Sequence, residues 1–407
     1  MDDLTIRAIA SDELSVFIQA LERAFHGRFR EEDVEQERLI AEPDRYFAAL
    51  EGDEIVGTAG ACSTDLTVPG GRSLHVPGIT AVGVLPSHRR RGINTRLMAT
   101  LLDQAAERGE PLAYLWASES PIYRRFGYGM ASLCAELQLS TDRSVFVPGV
   151  ATGGRVRALP RDQAMPLMRP IYDAVAASRP GMIAVEDSWW TWLFHEPKRD
   201  EDEPLFFAVH EDDEGVPDGY AVYKVKDEWA HSVPSNELKL QHLIAETPTA
   251  TSALWRYLLD VDLVATVKAW DRPADEELLW LVAEPRRLRF MVSEGLWVRL
   301  VDIPTSLEGR RYAADGRLVF EIDDGFRPVT SGRYELDVEG GEGTCARTDA
   351  EPDLSCGVDA LGAAYLGGNS FRQLARAQQV RELQPNALER ANAMFASDPS
   401  PWFGFVF

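Results

Sequence analysis

The chain has 407 residues, a length that predicts two or three domains and excludes a single small module. Apolar residues make up 45% and charged residues 26%, which excludes wholesale disorder and a fibrous architecture. Asp and Glu number 65 against 42 Lys and Arg, and the resulting net charge of -23 disfavours nucleic acid and anionic membrane surfaces as partners and favours cationic ones.

The sequence shows no pattern typical of export, membrane insertion or metal binding. Its first residues lack a basic start and an apolar run, and no stretch approaches the roughly 18 apolar residues of a membrane span, so we expect a cytoplasmic protein without a membrane partner. The cysteines form no C-x-x-C and have no nearby histidine pair, which predicts neither disulfides nor zinc. We expect reduced, packed thiols at Cys62, Cys134, Cys345 and Cys356.

Helix and strand signals alternate in the first part of the chain. Apolar residues at helical spacing after Ser11 predict an amphipathic helix, and two apolar runs around Gly52 predict a hairpin. A strand at 79–85, a helix at 94–108 and a strand at 111–117 follow. A strand, loop, helix and strand in this order are typical of an α/β domain with a parallel pair of strands at its centre.

The middle of the chain repeats this pattern. A second hairpin is predicted at 205–209 and 219–223, a second strand at 238–245, and a helix segment at 254–260 that lies over 97–103. The second copy has only a short segment, 246–250, where the first copy has an arginine-rich loop. We therefore expect the same fold twice, with the loop missing from the second copy.

The pattern changes beyond about residue 300, where alternating strands are followed by helices from Asp359 and Phe371. This order predicts a third domain of the α+β class. Pro and Gly clusters near 150 and Ile303-Pro304 near 300 serve as boundaries, so the predicted domains are 1–150, 151–300 and 301–407.

The arginine-rich loop, Arg89-Arg90-Arg91-Gly92-Ile93-Asn94, lies between an apolar strand and an amphipathic helix. Backbone N–H groups at a helix N-terminus converge on anions, and the guanidinium groups beside them add charge, so this position favours phosphate binding. The alternative is a solvated surface patch, the usual environment of an arginine triplet.

This junction resembles the acetyl-coenzyme A signature of the GNAT N-acetyltransferase superfamily, Arg/Gln-x-x-Gly-x-Gly/Ala. Arg89 and Gly92 match it, and Asn94 departs from the last small position. The resemblance implies that Arg89, Arg90, Arg91, Gly92 and Asn94 hold the pyrophosphate of acetyl-CoA, and that backbone groups of Val82 and Val84 bind its pantetheine arm. Gly83 suits a bulge in that strand. A core strand with a small residue is the alternative.

The run Ile122-Tyr123-Arg124-Arg125-Phe126-Gly127-Tyr128-Gly129 and the tail Pro401-Trp402-Phe403-Gly404-Phe405-Val406-Phe407 extend the resemblance over the whole chain. Together with the degenerate second copy they are similar to the enhanced intracellular survival (Eis) family of acetyltransferases. The implied architecture is two GNAT domains, the second degenerate, and a C-terminal domain similar to sterol carrier proteins. The resemblance also implies a homohexamer and amine substrates, including aminoglycosides and lysine side chains.

The family mechanism implies direct attack in a ternary complex, without a metal. Carried over to this chain, Tyr128 protonates the departing thiolate and the α-carboxylate of Phe407 accepts the amine proton. A carboxylate is physically suited to this role, because it attracts a protonated amine and can take its proton. Without the resemblance, the aromatic tail is better explained as a terminus docked on a core.

Two other functions are open at this stage. One is a lipid- or sterol-binding protein on a GNAT scaffold, and the other is an acetyltransferase dedicated to lysines of one protein partner. An acidic segment at Glu31, Glu32, Asp33, Glu35 and Glu37 lies where GNAT folds line the acceptor site, although a solvated helix face explains it equally well.

Overall fold

The structure is a computed structural model that describes residues 4–195 and 203–407. Its first part comprises β1 (Leu4–Ala8), α1 (Leu14–Ala24), α2 (Glu31–Glu37), β2 (Tyr46–Glu51), β3 (Glu54–Val68), β4 (Arg72–Val84), α3 (Ile93–Glu107), β5 (Leu112–Trp116), α4 (Ser120–Arg124) and β6 (Gly129–Met130). The predicted helices and the hairpin lie within a few residues of these bounds.

The second part comprises β7 (Leu133–Ser140), β8 (Arg155–Leu159), α5 (Arg161–Ala176), β9 (Ile183–Ala184), α6 (Asp187–Leu193), β10 (Phe206–Glu211), β11 (Pro217–Lys226), β12 (Trp229–Ala230), β13 (Val233–Pro234), β14 (Asn236–Ala245), α7 (Pro248–Leu259), β15 (Val264–Pro273), α8 (Leu278–Leu281), β16 (Arg289–Glu294) and β17 (Leu296–Leu300). The third part comprises α9 (Ile303–Gly309), β18 (Gly316–Asp323), β19 (Gly332–Glu339), β20 (Glu342–Arg347), β21 (Leu354–Gly357), α10 (Val358–Tyr365), α11 (Phe371–Arg376), β22 (Val380–Glu382) and α12 (Ala387–Phe395).

Two of the sheets share one topology. The first runs β1-β2-β3-β4-β5-β17-β6, with β9 paired to β3, and the second runs β16-β7-β15-β14-β11-β10-β8. In each, a hairpin leads to a parallel pair, β4 with β5 and β14 with β15. The internal repeat predicted from the sequence is therefore a repeat of the fold.

The two sheets exchange strands. β7 falls inside the predicted first domain but pairs with β15 and β16, whereas β17 falls inside the predicted second domain and lies between β5 and β6. The two chain segments cross where the hydroxyl of Ser132 accepts a hydrogen bond from the backbone N–H of Leu296 at 2.8 Å. A domain boundary at residue 150 therefore does not separate the two sheets, because each sheet contains one strand from the other side of it. The hydrophobic pattern of a segment predicts that it is a strand, but it does not predict which strand it pairs with.

The third sheet runs β20-β19-β18-β21-β22, and helices cover it. It is fixed to the first sheet by a buried ion pair, in which Arg299 on β17 lies 2.5 Å from Asp324. Close backbone packing reinforces this joint, since a Cβ on Gly362 of α10 would lie 2.4 Å from the carbonyl oxygen of Val298. All four cysteines are free and buried, as predicted.

Candidate active site

The site begins where the parallel pair of the first sheet separates. β4 pairs with β5 only at Gly78–Tyr114 and Ile79–Leu115, although β4 continues to Val84. Beyond Ile79, one backbone edge of β4 therefore has no strand beside it among the described residues. Free N–H and C=O groups on such an edge can bind an extended amide chain in the way that another strand would.

A bulge shapes this free edge. The pairing of β3 with β4 shifts between Thr58 and Gly60, and Ala81 on β4 has a φ of 52°. The hydroxyl of Thr58 donates a 2.9 Å hydrogen bond to the carbonyl of Ala81, which fixes the distortion. The expectation of a bulge at Gly83 is thus corrected, because Gly83 pairs regularly with Thr58.

Gly83 is small for a different reason. A Cβ there would lie 3.1 Å from both Ala24 Cβ and Leu21 Cδ1 of α1. The residue therefore allows α1 to pack closely against the strand.

The N-terminus of α3 follows the strand and is open. Its capping residue is Gly92, with a φ of 77° and no side-chain cap, and the first intrahelical bond runs from Arg96 N to Gly92 O. The N–H groups of the first turn are consequently free of helical partners. The amide oxygen of Asn94 is buried beside them without a hydrogen-bond partner. The free N–H donors fit a bound phosphate group. The Asn94 oxygen is an acceptor and does not add to this phosphate site.

These elements enclose a cavity of about 540 Å³, hereafter the β4–α3 cleft. Six of the residues expected at the coenzyme site line it, namely Val82, Val84, Arg89, Arg90, Gly92 and Asn94. Arg91 does not belong to the lining, and its guanidinium instead lies 2.5 Å from Glu51. That contact lowers the pKa of Glu51 to about 2, with a further contribution from His88.

The other two arginines of the loop, Arg89 and Arg90, differ from each other in their contacts. Arg89 donates to the backbone carbonyls of Ala24 at 3.0 Å and Val84 at 3.3 Å, so it joins the end of β4 to the end of α1. Arg90 is exposed at the cleft with a φ of 63°, and it has no ion-pair partner in the described ranges. Of the three loop arginines, Arg90 is therefore the one available to a ligand; Arg125, outside the loop, also lines the cleft.

Tyr128 lies directly behind the wall of the β4–α3 cleft, with its ring 6.3 Å from that of Tyr123 between centroids. It is fully buried, its hydroxyl has no hydrogen-bond partner, and burial raises its pKa. It does not line the cleft, whereas Tyr123 does, together with Ser118 and Glu119. The structure thus brings a different tyrosine of the same motif to the site. The local secondary structure distinguishes the two tyrosines. Tyr123 belongs to the short helix α4, whereas Tyr128 immediately precedes the strand β6.

Phe407 lies at the point where β4 and β5 separate. Its ring packs on Tyr114 at 5.6 Å and on Trp189 at 5.7 Å between centroids. A Cβ on Gly78 would lie 2.8 Å from the ring, so the glycine makes room for it. Tyr114 and Gly78 face each other in the parallel ladder, which places the aromatic end of the chain beside the last paired residues of β4 and β5.

Comparison with known proteins agrees with this geometry. Two matches to Acetyltransferase (GNAT) domain families cover residues 5–131 and 181–300, and a Sterol carrier protein domain covers 303–404. The N-acetyltransferase Eis of Mycobacterium tuberculosis is 34% identical over 369 residues, which span 88% of this chain and 87% of that protein. The chain belongs to the Eis family of GNAT N-acetyltransferases.

Other relatives extend the match to the whole length. An uncharacterized N-acetyltransferase of Streptomyces avermitilis is 41% identical over 402 residues, 98% of either chain. The crystal structure of Eis1 from Mycobacterium abscessus, 32% identical, superposes with a TM-score of 0.86 over 99% of this chain and all of that one. The predicted fold class, two GNAT domains and a sterol-carrier-like domain, is confirmed, and the protein is an enzyme, an N-acetyltransferase.

The second GNAT domain of this Eis-family chain has a closed helix N-terminus. The hydroxyl of Thr247 accepts from Ala250 N at 3.1 Å, and Pro248 has no N–H to offer. Thr247 also donates to the carboxylate of Asp218 at 2.7 Å, whose other oxygen contacts His210. A side-chain cap and a carboxylate thus lie where α3 of the first domain presents free donors, which makes this helix N-terminus less suited to a phosphate.

Two further observations concern the acidic segment and other ligands. Glu37 of the Eis-family chain is half-buried and accepts a 2.7 Å hydrogen bond from Tyr46, and desolvation raises its pKa, while Glu31 and Glu32 are exposed. Within 4–195 and 203–407, no group of three His, Cys, Asp or Glu side chains is arranged to hold a metal ion. In the same ranges, no helix has both the length and the apolarity to cross a bilayer.

Proposed function

We propose that the chain transfers the acetyl group of acetyl-CoA to a primary amine by direct attack in a ternary complex. The observation that carries the proposal is the β4–α3 cleft, where a free strand edge, an open helix N-terminus and a tyrosine line one cavity. Acetyl-CoA supplies an activated thioester, and a GNAT acetyltransferase uses it as cosubstrate. The chain's residues supply binding, orientation and proton transfer.

The coenzyme is assigned to the residues of the cleft by their chemistry. Pyrophosphate oxygens suit the free N–H groups of the first turn of α3 and the guanidinium of Arg90. The amide groups of a pantetheine arm suit the unpaired edge of β4 at Val82 and Val84. Arg89 and Arg91 act through other residues, because the first anchors β4 to α1 and the second holds Glu51.

The proton donor to the leaving thiolate is assigned to Tyr123 in place of Tyr128. Tyr123 lines the cleft, and its pKa is raised mainly by burial, so the phenol is protonated at neutral pH and has a proton to donate. Tyr128 is buried behind Tyr123 and does not line the same cavity.

The proton acceptor is assigned to the α-carboxylate of Phe407. A primary amine has a pKa near 10.4 and is mostly protonated at neutral pH, so it must lose a proton before it attacks. The ring contacts with Tyr114 and Gly78 support a position for this carboxylate beside the end of the paired strands. Its negative charge attracts the ammonium form of the substrate.

The proposal is tested by measuring the release of free thiol from acetyl-CoA with a panel of polyamines, aminoglycosides and lysine peptides. Amine-dependent release supports it, and release with peptides alone favours the dedicated protein-lysine acetyltransferase. Tight coenzyme binding without release for any amine overturns it. The lipid-binding alternative is tested in parallel with a fluorescent sterol, since it requires a site in the third domain.

Assembly and location are proposed on the family resemblance, as a cytoplasmic homohexamer. One feature of this chain supports self-association. β16 is an edge strand whose Met291 and Val292 side chains are 58% and 47% exposed. Exposed apolar residues on an unpaired edge favour pairing with another chain. Sedimentation of the intact protein tests the assembly, with a monomer as the contrary result.

A further inference from the structure

A cavity of about 360 Å³, separate from the β4–α3 cleft, lies at the β16 edge of the second sheet. We refer to it as the arginine cavity, because four of the six residues that line it are arginines. The lining consists of Ser140, Asp142, Arg143, Arg286, Arg287 and Arg289. Such a group is unexpected in a chain with a net charge of -23. Its location therefore calls for a physical reason.

Three of the four arginines lie in two 3-10 turns, at 141–143 and 285–287. The two turns are far apart in sequence, and backbone hydrogen bonding holds them side by side. The N–H of Ala283, just before the second turn, donates to the carbonyl of Val145, just after the first, at 2.8 Å. The cavity is thus formed by the fold and does not depend on loose surface side chains meeting by chance.

The fourth arginine, Arg289, begins β16 and faces Gln138 in the antiparallel ladder with β7. Ser140 is two residues further along β7 and therefore lies on the same face of the sheet. The alternate residues Leu137 and Leu139 are buried in the core on the opposite face. The arginine cavity is consequently on the outer face of the sheet, where a ligand can reach it.

Two of the arginines have weak acidic partners. Arg143 and Arg287 contact the same carboxylate, that of Glu284, at 3.9 and 3.4 Å, and Arg143 also lies 3.8 Å from Asp142. All of these side chains are more than half exposed. Exposed ion pairs at such distances contribute little to stability and leave most guanidinium donors unused.

The other two arginines, Arg286 and Arg289, are exposed and have no such partner. Within 4–195 and 203–407, neither guanidinium forms an ion pair or a side-chain hydrogen bond. Positive groups that face one cavity repel each other, and a bound anion would replace this repulsion by attraction. The donors of both residues are therefore available to an anionic ligand.

The chemistry of the lining identifies the class of anion. A guanidinium fork matches two oxygens of a phosphate, so one phosphate engages about two arginines. Four guanidinium groups thus suit linked phosphates with about four contiguous charges, as a triphosphate has, whereas CoA carries its charge on two separated groups. Among the described residues that line the cavity there is no aromatic or aliphatic side chain to bind a nucleobase.

We propose that the arginine cavity binds a small anion of the triphosphate type, recognised through its phosphates alone. The site is distinct from the β4–α3 cleft and lies outside the residues assigned to acetyl transfer. Its occupant is either inorganic triphosphate or the triphosphate group of a nucleotide, and the two sources share the same recognition.

The experiment is a calorimetric titration of the intact protein with inorganic triphosphate, with CoA at saturation so that the β4–α3 cleft is occupied. The double substitution Arg286→Ala and Arg289→Ala is expected to weaken triphosphate binding about tenfold or more, because it removes charge-assisted contacts. The matched control, Arg372→Ala with Arg376→Ala, removes the same charge from α11, where both side chains are exposed and lack ion pairs in the described part of the chain. The control is expected to bind triphosphate normally.

A second titration uses ATP in place of inorganic triphosphate. Recognition through phosphates alone predicts that the two dissociation constants agree within about threefold, and that the double substitution weakens both. Both variants change exposed side chains, so their melting temperatures without ligand should equal that of the unmodified protein. Added triphosphate should raise the melting temperature of the unmodified protein and of the control more than that of the double variant.

No triphosphate binding by the intact protein overturns the inference, as does equal binding by the intact protein and the double variant. A smaller oligomer in the double variant, with triphosphate binding unchanged, also overturns it and assigns these arginines to an interface between copies. None of these outcomes depends on turnover, so they are independent of whether the proposed acetyl transfer is observed.

Discussion

Arg91 and Glu51 form an ion pair of 2.5 Å that turns one arginine of the arginine-rich loop away from the β4–α3 cleft. His88 contacts the same carboxylate at 3.0 Å, so the loop is fastened to the end of β2 from two sides. Its neighbour Arg90 remains at the cleft without such a partner in the described part of the chain. Three consecutive arginines thus have three different environments.

The different environments of Arg90 and Arg91 predict that their substitution has different effects on the KM for acetyl-CoA. Arg90→Ala is expected to raise the KM for acetyl-CoA about tenfold or more, because it removes a charge-assisted contact to the pyrophosphate. Arg91→Ala is expected to change that KM less than about threefold, since an exposed ion pair contributes little. Steady-state kinetics at saturating amine provides both values. Equal effects of the two substitutions would contradict the assignment.

The closed helix in the second GNAT domain predicts one coenzyme per chain. Thr247 caps α7 and donates its hydroxyl hydrogen bond to Asp218, and Pro248 has no N–H, so at most the N–H of Thr249 is free in this first turn, beside a carboxylate. Calorimetric titration with CoA is expected to give a stoichiometry of one. Thr247→Ala should leave CoA affinity unchanged and destabilise the fold by about 1 kcal/mol through loss of the cap. A stoichiometry of two would show that the second domain also binds.

The proton-acceptor assignment predicts that the position of the terminal carboxylate matters more than the ring that precedes it. A chain lengthened by one alanine after Phe407 moves the carboxylate and keeps the ring, and its kcat is expected to fall about 100-fold or more. Phe407→Leu keeps the position of the carboxylate and is expected to retain more activity than the lengthened chain. If the lengthened chain works normally, the base lies elsewhere. Coenzyme affinity, measured on the same samples, should be unaffected.

The third domain has an arginine at its centre where a lipid carrier would need an apolar cavity. Arg310 is fully buried, donates to backbone carbonyls of Tyr365, Phe395 and Arg311, and lies against the ring of Tyr312. Arg310→Ala is expected to cost about 3 kcal/mol or more of unfolding free energy, because it leaves buried carbonyls unbonded. Arg311→Ala, at an exposed ion pair, should cost under about 1 kcal/mol.

The same arginine predicts that the domain does not bind sterol, which a fluorescent-sterol titration checks. Saturable binding of the sterol would contradict this account and favour the lipid-binding alternative.

Much of the fold followed from local patterns. The helix α1 and the hairpin of β2 and β3 follow from apolar spacing and a glycine turn, and the repeat follows from the similar apolar runs of α3 and α7. The strand exchange did not follow, because β7 and β17 are ordinary apolar strands whose partners are chosen by the tertiary packing.

In the candidate site, too, local patterns predicted some features and tertiary contacts determined the others. The loop between β4 and α3 was found because a basic triplet, a glycine and a helix start are adjacent in sequence. Long-range contacts decided the rest: Glu51 removes Arg91 from the site, and the folding of one short motif places Tyr123 at the cleft and Tyr128 in the core.

The most direct test of the central claim compares turnover of Tyr123→Phe and Tyr128→Phe, measured as thiol release from acetyl-CoA with a saturating polyamine. The account predicts that Tyr123→Phe lowers kcat by about 100-fold or more with little change in coenzyme affinity, because Tyr123 lines the cleft and Tyr128 does not. Tyr128→Phe removes a buried hydroxyl that has no partner, so turnover should stay near that of the unmodified protein. Loss of turnover in Tyr128→Phe with full activity in Tyr123→Phe would contradict the account.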